Sequence, residues 1–369
     1  MKSLWDLANP QLRDLVVYEP GKPIEETARE LGVEPAEIVK LASNENPLGP
    51  SPKALAAMRK ALETVHLYPD GGGFYLCQAL AEKLGVSRES LILGNGSNEV
   101  IEFIGHAFLK PGDEIVVSQY AFIIYKLIAR FFDARVVEMP SSDYRHDLDA
   151  MLGAITPKTK VVFVANPNNP TGTLASQTEI DRFVARVPED IVVVFDEAYF
   201  EFLDCPPDTL QYVRSGRNVV VLRTFSKIHG LAGLRVGYGI ARPELIEVLQ
   251  KTREPFNVNS IAQIGALAAL DDMEHQEKTK TVVDAGRAFL GEQFAAMKIP
   301  FVPGTANFVM VKVGDGPDVF RKMLAKKVIV RPLKGYGLAE WIRITIGTMD
   351  ENKTCVAALR EVLSKNREH

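Results

Sequence analysis

Apolar residues in this chain fall into two patterns, and their order along the sequence is the first guide to its architecture. Between about residues 91 and 240, short runs rich in Val, Ile, Leu and Phe alternate with helix-length amphipathic segments. The runs that predict strands are Leu91 to Leu93, Glu114 to Ser118, Ala134 to Glu138, Lys160 to Ala165, Ile191 to Phe195, Asn218 to Arg223 and Val236 to Ile240. Several end in Gly, Asn, Asp or Ser, and Ile191 to Phe195 is apolar at every position, as a strand covered on both faces must be. The pattern predicts an α/β fold, a mostly parallel seven-stranded sheet between helices. Ligands of open α/β sheets bind beyond the carboxyl ends of the strands, where the polar motifs of this chain lie.

After about Leu270 the pattern changes. A charged helical stretch, Asp271 to Met297, leads to alternating runs at Asn307 to Val313, Lys327 to Arg331 and Trp341 to Ile346, the signature of a smaller α+β domain. A helix signal at Pro23 to Leu31 belongs to an N-terminal segment expected to pack on that C-terminal part. The expected division is a large domain over 42–270 and a small domain from 1–41 with 271–369. There is no internal repeat.

Composition adds mainly exclusions. The 369 residues are 46% hydrophobic and 24% charged, with net charge -4, values of an ordinary globular protein. Basic residues are scattered, so no nucleic-acid partner is expected. Met1 to Pro10 carries Trp5, Asp6 and Asn9 where a secretory signal needs an apolar run, and no run approaches the ~20 residues that span a bilayer. The expectation is a cytoplasmic protein without a membrane partner. Cys77, Cys205 and Cys355 are widely separated and odd in number, and His66, His106, His146 and His275 lack ligand spacing, so neither disulfides nor a metal is expected.

The chemistry gathers around Lys227. The segment from Thr224 to Arg235 joins one lysine to hydroxyls, glycines and an arginine just past a β-branched strand. A Ser-Lys pair is usually surface, and glycines after a strand usually make a turn. The functional reading is a lysine that forms a Schiff base beside a phosphate cradle, which calls for pyridoxal 5'-phosphate. Other loops supply partners for such a ring. Asn169, in the Asn-Pro loop after Val161 to Ala165, would donate to a phenolic oxygen, although such a loop is by itself a plain turn. Asp196, directly after Ile191 to Phe195, would pair with a protonated pyridine nitrogen, where a helix cap is the commonplace alternative. Tyr199 in the same turn would face the phenolic oxygen. Gly94 to Asn98, with the Ser97 hydroxyl, precedes a helix-like run to Leu109 and offers N–H groups to a phosphate, which Thr224, Ser226 and Arg235 would complete.

Asn169-Pro170-Thr171-Gly172, Asp196-Glu197-Ala198-Tyr199 and Ser226-Lys227, with Arg235 closing Gly230 to Arg235, resemble the fold-type I pyridoxal-phosphate aminotransferases in identity, order and separation. Tyr18 to Pro23, Leu41 to Gly49, Tyr68 to Gly71 and Arg223 to Lys227 resemble the histidinol-phosphate aminotransferase family, and the likeness runs from about Leu12 to Thr348. The resemblance makes Lys227 both cofactor anchor and general base. It assigns Ser97, Asn98, Thr224, Ser226 and Arg235 to the phosphate, and an aromatic stacked on the ring to Phe122, with Tyr120 the alternative. It implies a homodimer in which Tyr68 reaches the partner's cofactor, and substrate contacts from Arg343, Arg331 and Tyr18. The implied reaction takes an amino donor and a 2-oxo acid: histidinol phosphate and 2-oxoglutarate, exchanged for imidazole-acetol phosphate and glutamate. An aromatic amino-acid aminotransferase shares every cofactor residue and is the nearest alternative. A threonine-phosphate decarboxylase and a cofactor-binding regulatory protein without turnover stand further off. His229 lies where the family often has an aromatic residue, and no catalytic role is assigned to it.

Overall fold

The computed structural model describes residues 3–13, 15, 17 and 21–365. A short strand, β1 (Val39–Lys40), precedes the seven that build the main sheet: β2 (Leu91–Gly94), β3 (Glu114–Ser118), β4 (Arg135–Met139), β5 (Thr159–Ala165), β6 (Val192–Asp196), β7 (Val219–Thr224) and β8 (Gly237–Ile240). Every strand expected between 91 and 240 is present, with ends shifted by a residue or so. Their spatial order is β2-β8-β7-β6-β5-β3-β4. All neighbours are parallel except β8, which runs antiparallel to both β7 and β2.

The unbroken apolar runs have a plain cause. Val162, Val164, Val193, Phe195, Val219 and Val221 enter one core, while the alternate residues Val161, Phe163, Val192, Val194, Val220 and Leu222 enter another. Period-two alternation therefore feeds two helix layers, and neither face of the central strands meets water.

The remaining strands are β9 (Phe301–Val302), β10 (Phe308–Lys312), β11 (Val328–Ile329), β12 (Arg331–Leu333) and β13 (Leu338–Thr345). Four form an antiparallel sheet in the order β12-β13-β10-β9, and β1 pairs in parallel with β11. The long helix Met273–Ala296 and the helix Met349–Lys365 cover this sheet through Val283, Leu290, Phe294, Cys355 and Leu359. The N-terminal helix Ile24–Leu31 ends at Gly32 in the left-handed conformation. Its Ala28, with Ile24 and Leu31, packs with Ile329, Phe320 and Leu324. Among the described residues no helix is long and apolar enough to cross a membrane.

Candidate active site

Parallel register brings three loops to one place. Ala165 at the end of β5 lies opposite Asp196 at the end of β6, and Asp196 lies opposite Leu222 near the end of β7. The loops that follow carry Asn169, Tyr199, Ser226 and Lys227 into one cavity of about 490 Å³. The ends of β6 and β7 are clamped by a buried ion pair. Arg223 Nε donates to Glu197 Oε2 at 2.9 Å, Thr209 Oγ1 donates to Glu197 Oε1 at 2.6 Å, and the guanidinium lies 3.6 Å from the Phe200 ring centre.

The Lys227 amine opens on this cavity and donates to the Ser43 carbonyl at 3.3 Å. Burial, and next the nearby Arg343 charge, push its pKa down to about 8. Asp196 is buried, and burial raises its carboxyl above the usual range. Tyr125 Oη opposes this by donating to Oδ2 at 2.7 Å, as does the Ala198 N–H, which donates to Oδ1 at 3.2 Å. Burial pushes the Tyr199 phenol up to about 12, so it remains a protonated donor near neutral pH. Asn169 presents Oδ1 to Arg343 Nη1, and Arg343 Nη2 donates to the Ala42 carbonyl at 2.7 Å.

A second group gathers around the start of the helix Ser97–Phe108. Its cap residue, Gly96, has a φ of 79° and no side chain to occupy the first N–H groups. Glycine suits this position because L side chains rarely adopt so positive a φ, and a Cβ would also displace the end of the Arg235 side chain, standing 2.6 Å from its Nη2. Arg235 is itself left-handed, with a φ of 56°, and its Nη1 donates to the Ala232 carbonyl at 3.1 Å. Ser97, Asn98, Thr224, Ser226 and Arg235 all line the cavity. A lysine brought toward neutrality, an internal carboxylate, and a cluster of N–H, hydroxyl and guanidinium donors fit the aldehyde, ring nitrogen and phosphate of pyridoxal 5'-phosphate.

Arg331 and Arg343 also line the cavity, and β12 and β13 place them directly opposite one another. Phe122 lies in the wall, whereas Tyr120 packs on Tyr144 at 5.8 Å, away from it. Tyr68 is 83% exposed and stacks on Phe256 at 4.9 Å, outside the cavity of its own chain. Tyr18 lies outside the described residues. His229 is buried against Phe225, with its pKa pushed down to about 3 by desolvation, and it does not line the cavity. Among the described residues no cluster could hold a metal.

Tyr125, Asn44 and Tyr336 complete the wall without having been assigned there from sequence. Asn44 sits inside the Leu41 to Gly49 motif and Tyr125 beside Phe122, which were the available signals. Nothing marks Tyr336, which a turn after β12 brings in.

The aminotransferase class I and II family model matches residues 36–359. A histidinol-phosphate aminotransferase of Akkermansia muciniphila is 55% identical over 362 residues, covering 98% of this chain and 100% of that one. A protein of the same description from Moorella thermoacetica is 49% identical, covering 96% and 94%. Among solved structures, a Sinorhizobium meliloti histidinol-phosphate aminotransferase in complex with pyridoxal-5'-phosphate superposes with a TM-score of 0.88 at 28% identity, covering 97% and 98%.

Proposed function

The chain belongs to the class I and II aminotransferase family and is a pyridoxal-phosphate-dependent transferase, and from that premise we propose its reaction. It interconverts histidinol phosphate plus 2-oxoglutarate with imidazole-acetol phosphate plus glutamate, in histidine biosynthesis. The observation that carries the substrate assignment is the cross-strand pair Arg331 and Arg343. Like charges directly opposite on a sheet repel, and an anion in the cavity that both side chains line would offset that repulsion. A phosphate ester meets them in one half-reaction and a carboxylate in the other. An aromatic amino acid, with one carboxylate and an apolar ring, matches two guanidiniums less well. Tyr18 is proposed as a further phosphate contact.

When bound, pyridoxal phosphate supplies the carbonyl carbon that exchanges the amino group and a ring that accepts an electron pair. Lys227 would be its covalent anchor, and once the amino donor has displaced it, the freed amine, whose pKa is about 8, would take the proton from the donor's α-carbon. Asp196 keeps a proton on the ring nitrogen, held in place by Tyr125 and the Ala198 N–H. Asn169 and Tyr199 would face the phenolic oxygen, Phe122 would stack on the ring, and Ser97, Asn98, Thr224, Ser226 and Arg235, which line the same cavity, would hold the phosphate. Residues 42–270 serve as the cofactor-binding domain, and 1–41 with 271–369 as the smaller one. The reading carries with it a cytoplasmic homodimer in which Tyr68 reaches the partner's cofactor, in keeping with the exposure of that side chain.

Steady-state rates with 2-oxoglutarate as acceptor test the assignment. Histidinol phosphate should be used with at least a tenfold higher kcat/KM than phenylalanine or tyrosine, the worth of about one charge-assisted contact. Equal or better use of the aromatic amino acids would overturn it.

A further inference from the structure

Asn44 belongs to a motif to which the proposed reaction assigns no chemistry, yet it stands in the cavity wall. Its backbone is left-handed, with a φ of 55°, a conformation that asparagine and aspartate tolerate better than other residues with a Cβ. Four hydrogen bonds hold it. Its N–H donates to Thr345 Oγ1 at 2.9 Å and its carbonyl accepts from Asn307 Nδ2 at 3.0 Å. Its side-chain Oδ1 accepts from Thr345 Oγ1 at 3.1 Å, and its Nδ2 donates to Tyr199 Oη at 2.8 Å.

These bonds run in one direction. The Asn44 N–H occupies Thr345 Oγ1 as an acceptor, and the hydroxyl proton turns to Asn44 Oδ1. That leaves Nδ2 facing Tyr199, whose oxygen accepts. The phenolic proton of Tyr199 must then point elsewhere, and Tyr199 lines the cavity. Thr345 lies two residues from Arg343 on the same face of β13, so the strand that carries a substrate-binding arginine also begins this relay.

We propose that Asn44 and Thr345 are positioning residues that hold Tyr199 as a hydrogen-bond donor toward the phenolic oxygen of the bound cofactor. The inference rests on the placement of Tyr199 given under the proposed function. A donor at that oxygen stabilises its anion and weakens its hold on the proton of the lysine-linked nitrogen. The relay therefore keeps the pH midpoint of the bound cofactor's absorbance change low. Charged and titratable groups facing the Tyr199 phenol are Arg343, Asp196, Tyr336 and Lys227, the last with Nζ 5.7 Å from the ring centre.

The test is the pH midpoint of the visible absorbance change in holoenzyme, with far-ultraviolet circular dichroism to verify folding. Tyr199→Phe should raise the midpoint by about one pH unit, the scale of one hydrogen bond to a charged group. Asn44→Asp tolerates the same backbone but accepts where asparagine donates, turning the phenolic proton away, and should raise it similarly. In the Tyr199→Phe background Asn44→Asp should add little; an equal shift in both backgrounds reports only the added charge and overturns the relay. Thr345→Val should raise the midpoint and Thr345→Ser should restore it, a comparison that decides the matter even if Asn44→Asp does not fold. No shift in Tyr199→Phe sinks the underlying placement of Tyr199. A shift there, with none in Asn44→Asp or Thr345→Val, sinks the relay alone.

Discussion

Lys227 has to lose a proton before it can attack an aldehyde, and the residues around it decide how readily that happens. Desolvation and the Arg343 charge bring its pKa to about 8, against a usual value of 10.5. Both causes disfavour the cation, and both disappear on unfolding. The rate at which apoenzyme captures the cofactor should therefore climb about tenfold per pH unit below 8 and level off above it, as read by the rise of visible absorbance. A rate still climbing toward pH 10 would show an ordinary lysine. The partners of Lys227 differ in how far sequence revealed them. Asp196, Asn169 and Tyr199 follow strand ends within motifs, whereas the Tyr125 phenol that holds Asp196 is 71 positions away in sequence and is joined to it only by the packing of a helix against the sheet.

At the scale of elements, the close approach of β8 to the loop after β2 shapes the proposed phosphate site. Gly237 opens β8, and a Cβ there would stand 2.4 Å from the Ser97 nitrogen, 2.8 Å from the Gly96 carbonyl carbon and 3.0 Å from the Arg223 oxygen. All three are backbone atoms, which cannot swing aside as a side chain does. Gly237→Ala should cost about 1–3 kcal/mol of stability by overpacking. It should also weaken cofactor affinity at least tenfold, because the Ser97 N–H would be pushed out of line; equilibrium titration of apoenzyme checks this. A variant with unchanged affinity would separate this loop from the phosphate. Sequence marked the loop as glycine-rich but was silent on Gly237, since its constraint comes from the loop that follows its antiparallel neighbour β2, far away in sequence. The strands themselves were legible for a simple reason. A strand buried on both faces must be apolar throughout, and that pattern survives whatever the neighbours are.

For the whole molecule, the proposed dimer makes each site a joint product of two chains. Tyr68, 83% exposed, stacks among the described residues on Phe256, which is itself 47% exposed. Mixing Tyr68→Ala chains with Lys227→Ala chains under exchange should give hybrid dimers in which one site has both native residues. Activity should recover to about a quarter of the unaltered enzyme when random pairing yields half hybrids. No recovery, with exchange verified by mass, would place Tyr68 outside its partner's site. The helix Ile24–Leu31 and the strand β1 complete the C-terminal part from the opposite end of the chain, an arrangement sequence suggested only through a helix signal with no adjacent partner.

Sequence by itself determined the strands of the main sheet, the loops at their carboxyl ends and the residue types able to serve pyridoxal phosphate. Hydrophobic periodicity and turn chemistry are local, and a buried parallel strand leaves little latitude in either. Tertiary structure decided what those residues do to one another. It set Arg331 opposite Arg343, drew Tyr125 to Asp196, and linked Thr345 through Asn44 to Tyr199. Register, burial and hydrogen-bond direction arise between segments far apart in sequence, and it is burial among such segments that brings Lys227 toward neutrality.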